Sequence, residues 1–202
     1  MFRSRAERKV AEAGYDPARL PPGQTYTDKW PVLHAGDVPR YGPLDTWTFR
    51  VFGEVEQEVE LGWRELNDLP RTENVQDIHC VTRWSHFDMR FGGIHPREVL
   101  ALARPTPAAR FVVAHAEAGF TTNVPLSFVE AGDALLATHA DGEPLSADHG
   151  YPLRLVVPGK YFWKSAKWLR GLELTAEDRP GFWERYGYHN DADPWQEQRY
   201  SF

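Results

Sequence analysis

Asp77-Ile78-His79-Cys80-Val81-Thr82-Arg83-Trp84-Ser85 is the stretch on which the reading of this chain turns. Val75 to Val81 reads as a β-strand that delivers Cys80 at its C-terminal end. Cys80 is the single cysteine of the 202 residues. A lone cysteine in an intracellular protein is most often a small buried hydrophobe. Its setting argues for more, because sheet proteins tend to place functional groups at strand ends. His79 and Arg83 nearby would favour a thiolate, the form that acts as a nucleophile or as a soft metal ligand. Spacing alone does not choose between those two roles. It does argue against a structural zinc site, since there is no second thiol and the histidines lack finger-like spacing.

Outward from this strand the chain alternates short strands and short helices. Trp47, Phe49 and Val51 alternate with polar residues as on a half-buried strand, Gly53 permits a turn, and Val55, Val59 and Leu61 form a second run, together predicting a hairpin. Trp63 to Leu69 reads as a short helix stopped by Pro70. Pro96 to Ala103, with proline in its first turn, reads as another. Phe111 to Ala114 and Ala134 to Thr138 read as buried strands separated by a short helix near Pro125 to Val129. Asp141-Gly142 supplies a turn. Leu153 to Val157 and Trp168 to Leu174 are further strands, and Glu177 to Tyr186 a late helix. No repeating βαβ period appears, so the fold class is α+β, a mixed β-sheet with short helices.

Residues 46–175 form the predicted domain. Residues 1–45 are rich in proline and glycine, yet they carry Tyr26, Trp30, Val32 and Leu33. They are expected to form an extended arm packed on the domain, with residues 176–202 a C-terminal helix and tail packed on it too. At 42% hydrophobic residues and with eight tryptophans the chain can bury a substantial core. A net charge of −6 argues against general nucleic-acid binding. A single cysteine forms no intramolecular disulfide, and no apolar run approaches the roughly 18–20 residues of a membrane span. The N-terminus lacks the apolar stretch of an export signal, so a cytoplasmic protein without a membrane partner is expected.

Two more stretches carry potential chemistry. In Asp148-His149-Gly150-Tyr151-Pro152-Leu153-Arg154 the glycine and proline restrict the backbone and fix His149 relative to Arg154, whose fork suits phosphate or carboxylate. The bland alternative is a surface loop with an incidental cation. From Tyr151 to Leu172 there are five cations, Arg154, Lys160, Lys164, Lys167 and Arg170, and no acidic residue. Interleaved with Tyr161, Phe162, Trp163 and Trp168, they suit a cleft for a planar, phosphate-bearing ligand, with backbone N–H groups around Ser165 as added donors. A solvated basic face with core aromatics between is the competing reading. Neither a P-loop nor a dinucleotide fingerprint is present. A soft ligand and an anion grip in one small domain suggest a cofactor with both a metal and a phosphate.

These stretches together resemble the oxidoreductase molybdopterin-binding domain, the family of sulfite oxidase, plant-type nitrate reductase and a bacterial periplasmic methionine-sulfoxide reductase. The resemblance covers most of residues 45–175: Cys-Val-Thr-x-Trp-Ser after a hydrophobic strand, then Asp141-Gly142-Glu143-Pro144-Leu145, then His149-Gly150-Tyr151-Pro152-Leu153-Arg154, then Lys164-Ser165-Ala166-Lys167-Trp168. The tail from Trp183 to Phe202 is similar to a short bacterial, sulfite-oxidase-like branch.

The resemblance implies an α+β fold wrapped around Mo-molybdopterin, the metal held by the pterin dithiolene and by one cysteine, which Cys80 matches. His149, Arg154, Ser165, Ala166 and Lys167 match residues that grip the pterin phosphate region, and His34 and His115 align with further cofactor contacts. The implied reaction is two-electron oxygen-atom transfer on a small oxyanion or oxide, sulfite- or sulfoxide-like, with an unidentified electron donor or acceptor. Arg83 joins Cys80 as the catalytic pair, and Trp84 and His86 are candidates for the substrate pocket. The haem domain of animal sulfite oxidase and the family's immunoglobulin-like dimerisation domain have no counterpart, so a monomer is expected. The competitors are a metal-free cysteine enzyme with Cys80 activated by His79, although His79 would project from the opposite strand face, and a cofactor-binding module without turnover.

Overall fold

The computed structural model describes residues 4–202. In chain order its strands are β1 (Thr25–Tyr26), β2 (Thr48–Gly53), β3 (Val59–Gly62), β4 (Arg71–His79), β5 (Trp84–Ile94), β6 (Phe111–Ala116), β7 (Thr121–Pro125), β8 (Leu135–Ala140), β9 (Glu143–Pro144), β10 (Arg154–Val156) and β11 (Leu169–Thr175). The helices are α1 (Arg5–Glu12), α2 (Trp63–Asn67), α3 (Pro96–Ala103), α4 (Leu126–Val129) and α5 (Phe182–Arg185). Five strands form one sheet in the order β3-β2-β11-β6-β7, and six form the other around the path β1-β5-β8-β10, with β4 on β5 and β9 on β8. Each sheet has one parallel pair, β2 with β11 and β1 with β5, among antiparallel ones. The α+β, mixed-sheet expectation therefore holds.

Period-two alternation sorts side chains onto the two faces of the second sheet. On β8, Leu136 joins the main core with Phe49, Val51, Val112 and Leu172, while Leu135 and Ala137 face the other way, onto Ile78, Met89 and Phe91. On β10, Leu155 joins the main core and Val156 the second cluster. Both faces are covered, which is why these strands read as continuous apolar runs. Arg154, two residues before Val156, starts on the same face as that second cluster, and this alternation turns its side chain toward the site.

Four differences from the sequence reading have local causes. The longest strand, β5, is absent from the strands expected, although Phe87, Met89 and Phe91 are buried and alternate with exposed Asp88 and Arg90. Its pattern is broken by the left-handed backbone of Asp88 (φ 56°) and by Gly92-Gly93. Gly93 is needed there, because a Cβ would lie 2.0 Å from the Leu136 carbonyl oxygen. The strand β7 was likewise not foreseen. The late helix shrinks from 177–186 to the four residues of α5, since Pro180 disfavours helical backbone at Arg179. The N-terminal segment is not extended throughout. It carries α1, closed by a capping box in which Ser4 Oγ accepts from Glu7 N–H and the Glu7 carboxylate accepts from Ser4 N–H. It then adds β1 to the start of β5 and runs without helix or strand from residue 27 to 43. Among the described residues no helix is long and apolar enough to cross a membrane.

Candidate functional site

The β4–β5 hairpin closes in the turn Cys80-Val81-Thr82-Arg83. Cys80 N–H donates to the Trp84 carbonyl (2.8 Å) and Arg83 N–H to the Cys80 carbonyl (3.0 Å). Arg83 sits in the left-handed region (φ 75°). Its guanidinium turns outward to Glu197 at 3.5 Å and is 62% exposed. Cys80 Sγ lies 3.2 Å from Thr82 Oγ1. Burial pushes the thiol's pKa up, against the opposing pull of the Thr82 hydroxyl and the Arg199 charge. The expectation that His79 and Arg83 promote a thiolate fails on geometry. His79 is buried against Ser85 Oγ (2.8 Å) and its pKa is lowered to about 4 by burial, so it is neutral at pH 7. Burial outweighs the pull of the Arg199 charge, and His79 is turned to Ser85 instead of the thiol, so Cys80 is not set up as a nucleophile.

The turn is clamped from behind by two residues that the sequence reading missed. Arg199 is 4% exposed; it donates to the Val81 carbonyl (2.6 Å) and to Gln24 Oε1 (3.1 Å) and lies over the Tyr161 ring. Gln24 Nε2 then donates to the carbonyls of Cys80 (3.0 Å) and Trp84 (3.2 Å). No local signal marks either residue, since each acquires its role only when the chain's two ends meet at the turn.

The cationic side is built on β10 and the loop before β11. Arg154 is 2% exposed, donates to the carbonyls of His149 and Ser165 (2.9 Å each), and is sandwiched by Phe162 and Trp30 at 4.2 and 5.5 Å from the ring centroids. Its Nε is buried without a hydrogen-bond partner, and no carboxylate is paired with it among the described residues. Burial lowers its pKa to about 9. Lys167 donates to the carbonyls of Leu33 (2.9 Å) and Asp148 (2.8 Å); burial, then the Arg154 charge, lowers its pKa to about 7. His149 stacks on Trp30 (3.8 Å, 24°), receives the Ser146 hydroxyl at Nδ1 (2.9 Å) and donates from Nε2 to the Trp30 carbonyl (3.2 Å). Burial lowers its pKa. Ser165 Oγ accepts Val157 N–H (2.9 Å), and the Ala166 carbonyl accepts Leu155 N–H (2.9 Å), which pins this loop to β10.

One cavity of about 460 Å³ joins the two sides. Its wall contains Cys80, His149, Arg154, Ser165, Ala166 and Lys167, and also His34, whose Nδ1 is 2.9 Å from the Gly36 carbonyl. Two expected residues lie elsewhere. His115 pairs with Glu173 (2.8 Å) and packs on Phe52 in the five-stranded sheet. Arg83 points away as described. Trp84 lines the cavity, whereas His86 is bonded to the Lys29 carbonyl (3.2 Å). The wall also contains aromatic residues with no predicted role, Trp30, Phe182, Trp183 and Tyr188.

This donor set fits a metal-bearing anionic cofactor. A buried guanidinium with an orphan N–H and no counter-ion carries a desolvation cost that its carbonyl partners only offset and that a bound anion would turn into a gain. Among the described residues no group of three or more His, Cys, Asp or Glu could hold a metal ion. A metal at Cys80 would therefore need its other ligands from the cofactor itself.

Comparison with known proteins agrees. The family model of the oxidoreductase molybdopterin-binding domain matches residues 35–183. The chain belongs to this family. It is an oxidoreductase domain, and the expected Mo-molybdopterin cofactor accords with the family. It is 47% identical over 184 residues to the oxidoreductase YuiH of Bacillus subtilis, covering 91% of this chain and 93% of that one. It is 28% identical to the catalytic subunit of the protein-methionine-sulfoxide reductase MsrP of Campylobacter jejuni, over 73% of this chain and 57% of the relative. The fold matches the sulfane dehydrogenase SoxCD of Paracoccus pantotrophus with a TM-score of 0.66 and 23% identity, over 73% of this chain and 42% of that one.

Proposed function

We propose that the protein is a molybdenum–pterin oxidoreductase performing two-electron oxygen-atom transfer on a small sulfite- or sulfoxide-like substrate, with Cys80 as the metal's protein ligand. The observation that carries this reading is the pairing, in one cavity, of a soft thiol with a fully buried guanidinium that has no counter-ion among the described residues. Arg154, Lys167 and His149 would hold the cofactor's phosphate, with the Ser165–Lys167 loop shaping the seat around it. Cys80, on a turn held by Gln24 and Arg199, would present Sγ to the metal from the opposite side. When bound, the cofactor supplies the oxygen-atom transfer and the metal's change of oxidation state, with an external donor or acceptor completing the electron balance. The chain's own tasks are to bind, to orient and to keep water from the buried guanidinium. The raised thiol pKa does not oppose ligation, because a metal displaces the proton on binding. The name of the MsrP relative supports the sulfoxide side of this reading.

The test is metal and pterin analysis of protein made in a host that synthesises the cofactor. Near-stoichiometric molybdenum is expected, with a thiolate-to-metal absorption that disappears in Cys80→Ser. An unchanged spectrum in that variant would refute the ligand assignment; lack of both molybdenum and pterin in wild type would refute the whole reading.

A further inference from the structure

Between Asp28 and Pro43, among the described residues, no backbone group pairs with another backbone group. Yet this segment supplies one wall of the cavity, from Trp30 to Pro39. The other walls are tied down. The Cys80 turn closes through Trp84 and is clamped by Arg199, and the Ser165–Lys167 loop is bonded to β10. Trp163 donates to Glu184 (3.1 Å), which is paired with Lys164 at 2.5 Å, both side chains buried. The segment is fixed at its two ends, where Thr27 N–H donates to the Ser85 carbonyl (2.9 Å) and Trp47 N–H to the Leu44 carbonyl (3.1 Å).

What holds it shut in between is side chains. His86 bonds the Lys29 carbonyl (3.2 Å), His149 the Trp30 carbonyl (3.2 Å) and Lys167 the Leu33 carbonyl (2.9 Å), and the Tyr41 hydroxyl donates to Glu117 (3.2 Å). Trp30 lies on the His149 ring (3.8 Å) and over the Arg154 guanidinium (5.5 Å), so the segment is also the cover of the buried cation. A stretch with no ladder and few bonds opens at low cost, independently of the sheets.

Lys167 is where this cover and a ligand meet. An ammonium has three N–H donors. The carbonyls of Leu33 and Asp148 take two, leaving one for an anion beside Arg154. Burial, then the Arg154 charge, lowers the pKa of Lys167 to about 7, so at neutral pH roughly half of the empty molecules lack its charge. A phosphate in the cavity favours the charged form, and the bond to Leu33 then has the strength of a charged donor.

We propose that residues 28–43 form a latched strap, which swings out in the empty protein to admit a phosphate-bearing ligand and is locked when Lys167 holds that phosphate and the Leu33 carbonyl together. The latch depends on the phosphate grip of the reading above, and not on a metal.

Trypsin cuts a folded chain where it can be drawn out, so the rate follows the open population. Lys29 and Arg40, both exposed, flank the wall. Cofactor-free protein, from a host that does not make the cofactor, is digested with and without inorganic phosphate, beside cofactor-loaded protein, and the fragments are identified by mass. Cuts after Lys29 and Arg40 are expected in the empty protein. Phosphate at about ten times its Kd, binding only the closed form, should slow them roughly tenfold and leave cuts elsewhere unchanged. Loaded protein should be slower still. Lys167→Met keeps the stem and loses the donors, so its strap should be cut about fivefold faster without phosphate, the value of one hydrogen bond. Arg154→Met keeps the bond to Leu33; its empty strap should be cut within about threefold of the wild-type rate, and phosphate should no longer protect it. Equal cutting with and without phosphate in wild type would overturn the proposal. So would a Lys167→Met strap no easier to cut than wild type, or loaded protein cut there as fast as empty protein. The phosphate arm needs neither molybdenum nor pterin, so wild type lacking both would sink the cofactor reading and leave the strap to be judged on its own result.

Discussion

Replacing Arg154 by methionine separates a ligand-binding cation from a structural one. The guanidinium is fully buried, and burial lowers its pKa from the ordinary arginine range to about 9. At about 1.4 kcal/mol per pH unit, holding it charged costs the folded protein roughly 5 kcal/mol. Against that stand two hydrogen bonds, to the His149 and Ser165 carbonyls, each worth about 1–3 kcal/mol when a buried acceptor is left alone. Its place over Phe162 adds about 2 kcal/mol. Methionine fills much of the volume, and the opposing contributions nearly cancel. Cofactor-free Arg154→Met is therefore expected within about 2 kcal/mol of wild type in urea unfolding followed by tryptophan fluorescence. Cofactor retention behaves differently. Removing one partner of a buried charged contact costs about 2–5 kcal/mol, so pterin affinity should fall by a factor of about thirty or more, read as pterin co-purifying with the protein. Two results would refute the reasoning: wild-type pterin content in the variant, or a stability loss above about 4 kcal/mol in the cofactor-free form.

Arg199→Met keeps the packing on Tyr161 but removes the donors to Val81 and Gln24; a stability loss of about 2–4 kcal/mol and faster alkylation of Cys80 by iodoacetamide in cofactor-free protein are expected. His79 takes up its proton only near pH 4 when folded, against 6.5 when unfolded. Its contribution to stability is thus complete above pH 6.5 and is lost, by about 3 kcal/mol in all, as pH falls to about 4. His79→Gln should flatten that part of the stability–pH curve. Gly93→Ala forces a Cβ to within 2.0 Å of the Leu136 carbonyl oxygen and 2.8 Å of Ala137 Cα, and a loss above about 3 kcal/mol in denaturant unfolding is expected.

Much of the architecture was readable where side-chain period and burial coincide. The Trp47–Val51 strand, the Pro96–Ala103 helix and the Leu153–Val157 strand all lie where the pattern puts them. What could not be read is whatever depends on distant partners. The Gly92-Gly93 pair weakens the strand signal of β5, and only contact with Leu136 and Ala137 explains it. The site divides in the same way. His149, Arg154 and Lys167 sit close together in sequence on elements that fix their relation, and the fold gathers them in one cavity with Cys80. Arg83 takes a left-handed backbone, invisible in the sequence, and its guanidinium meets Glu197 outside the cavity. Gln24 and Arg199 carry no motif, and their roles arise from where remote segments land.

The hydrogen bond from Arg199 to Gln24 joins residues 175 positions apart. The β4–β5 hairpin that carries Cys80 is local and can form early, but the clamp that sets its turn closes one of the longest loops the chain allows. The entropy of that closure is recovered only once nearly everything between is in place. The thiol's final orientation is thus among the last features to mature. A half-folded chain has the cysteine but not the geometry, so seating of the cofactor becomes a report on the completeness of the fold.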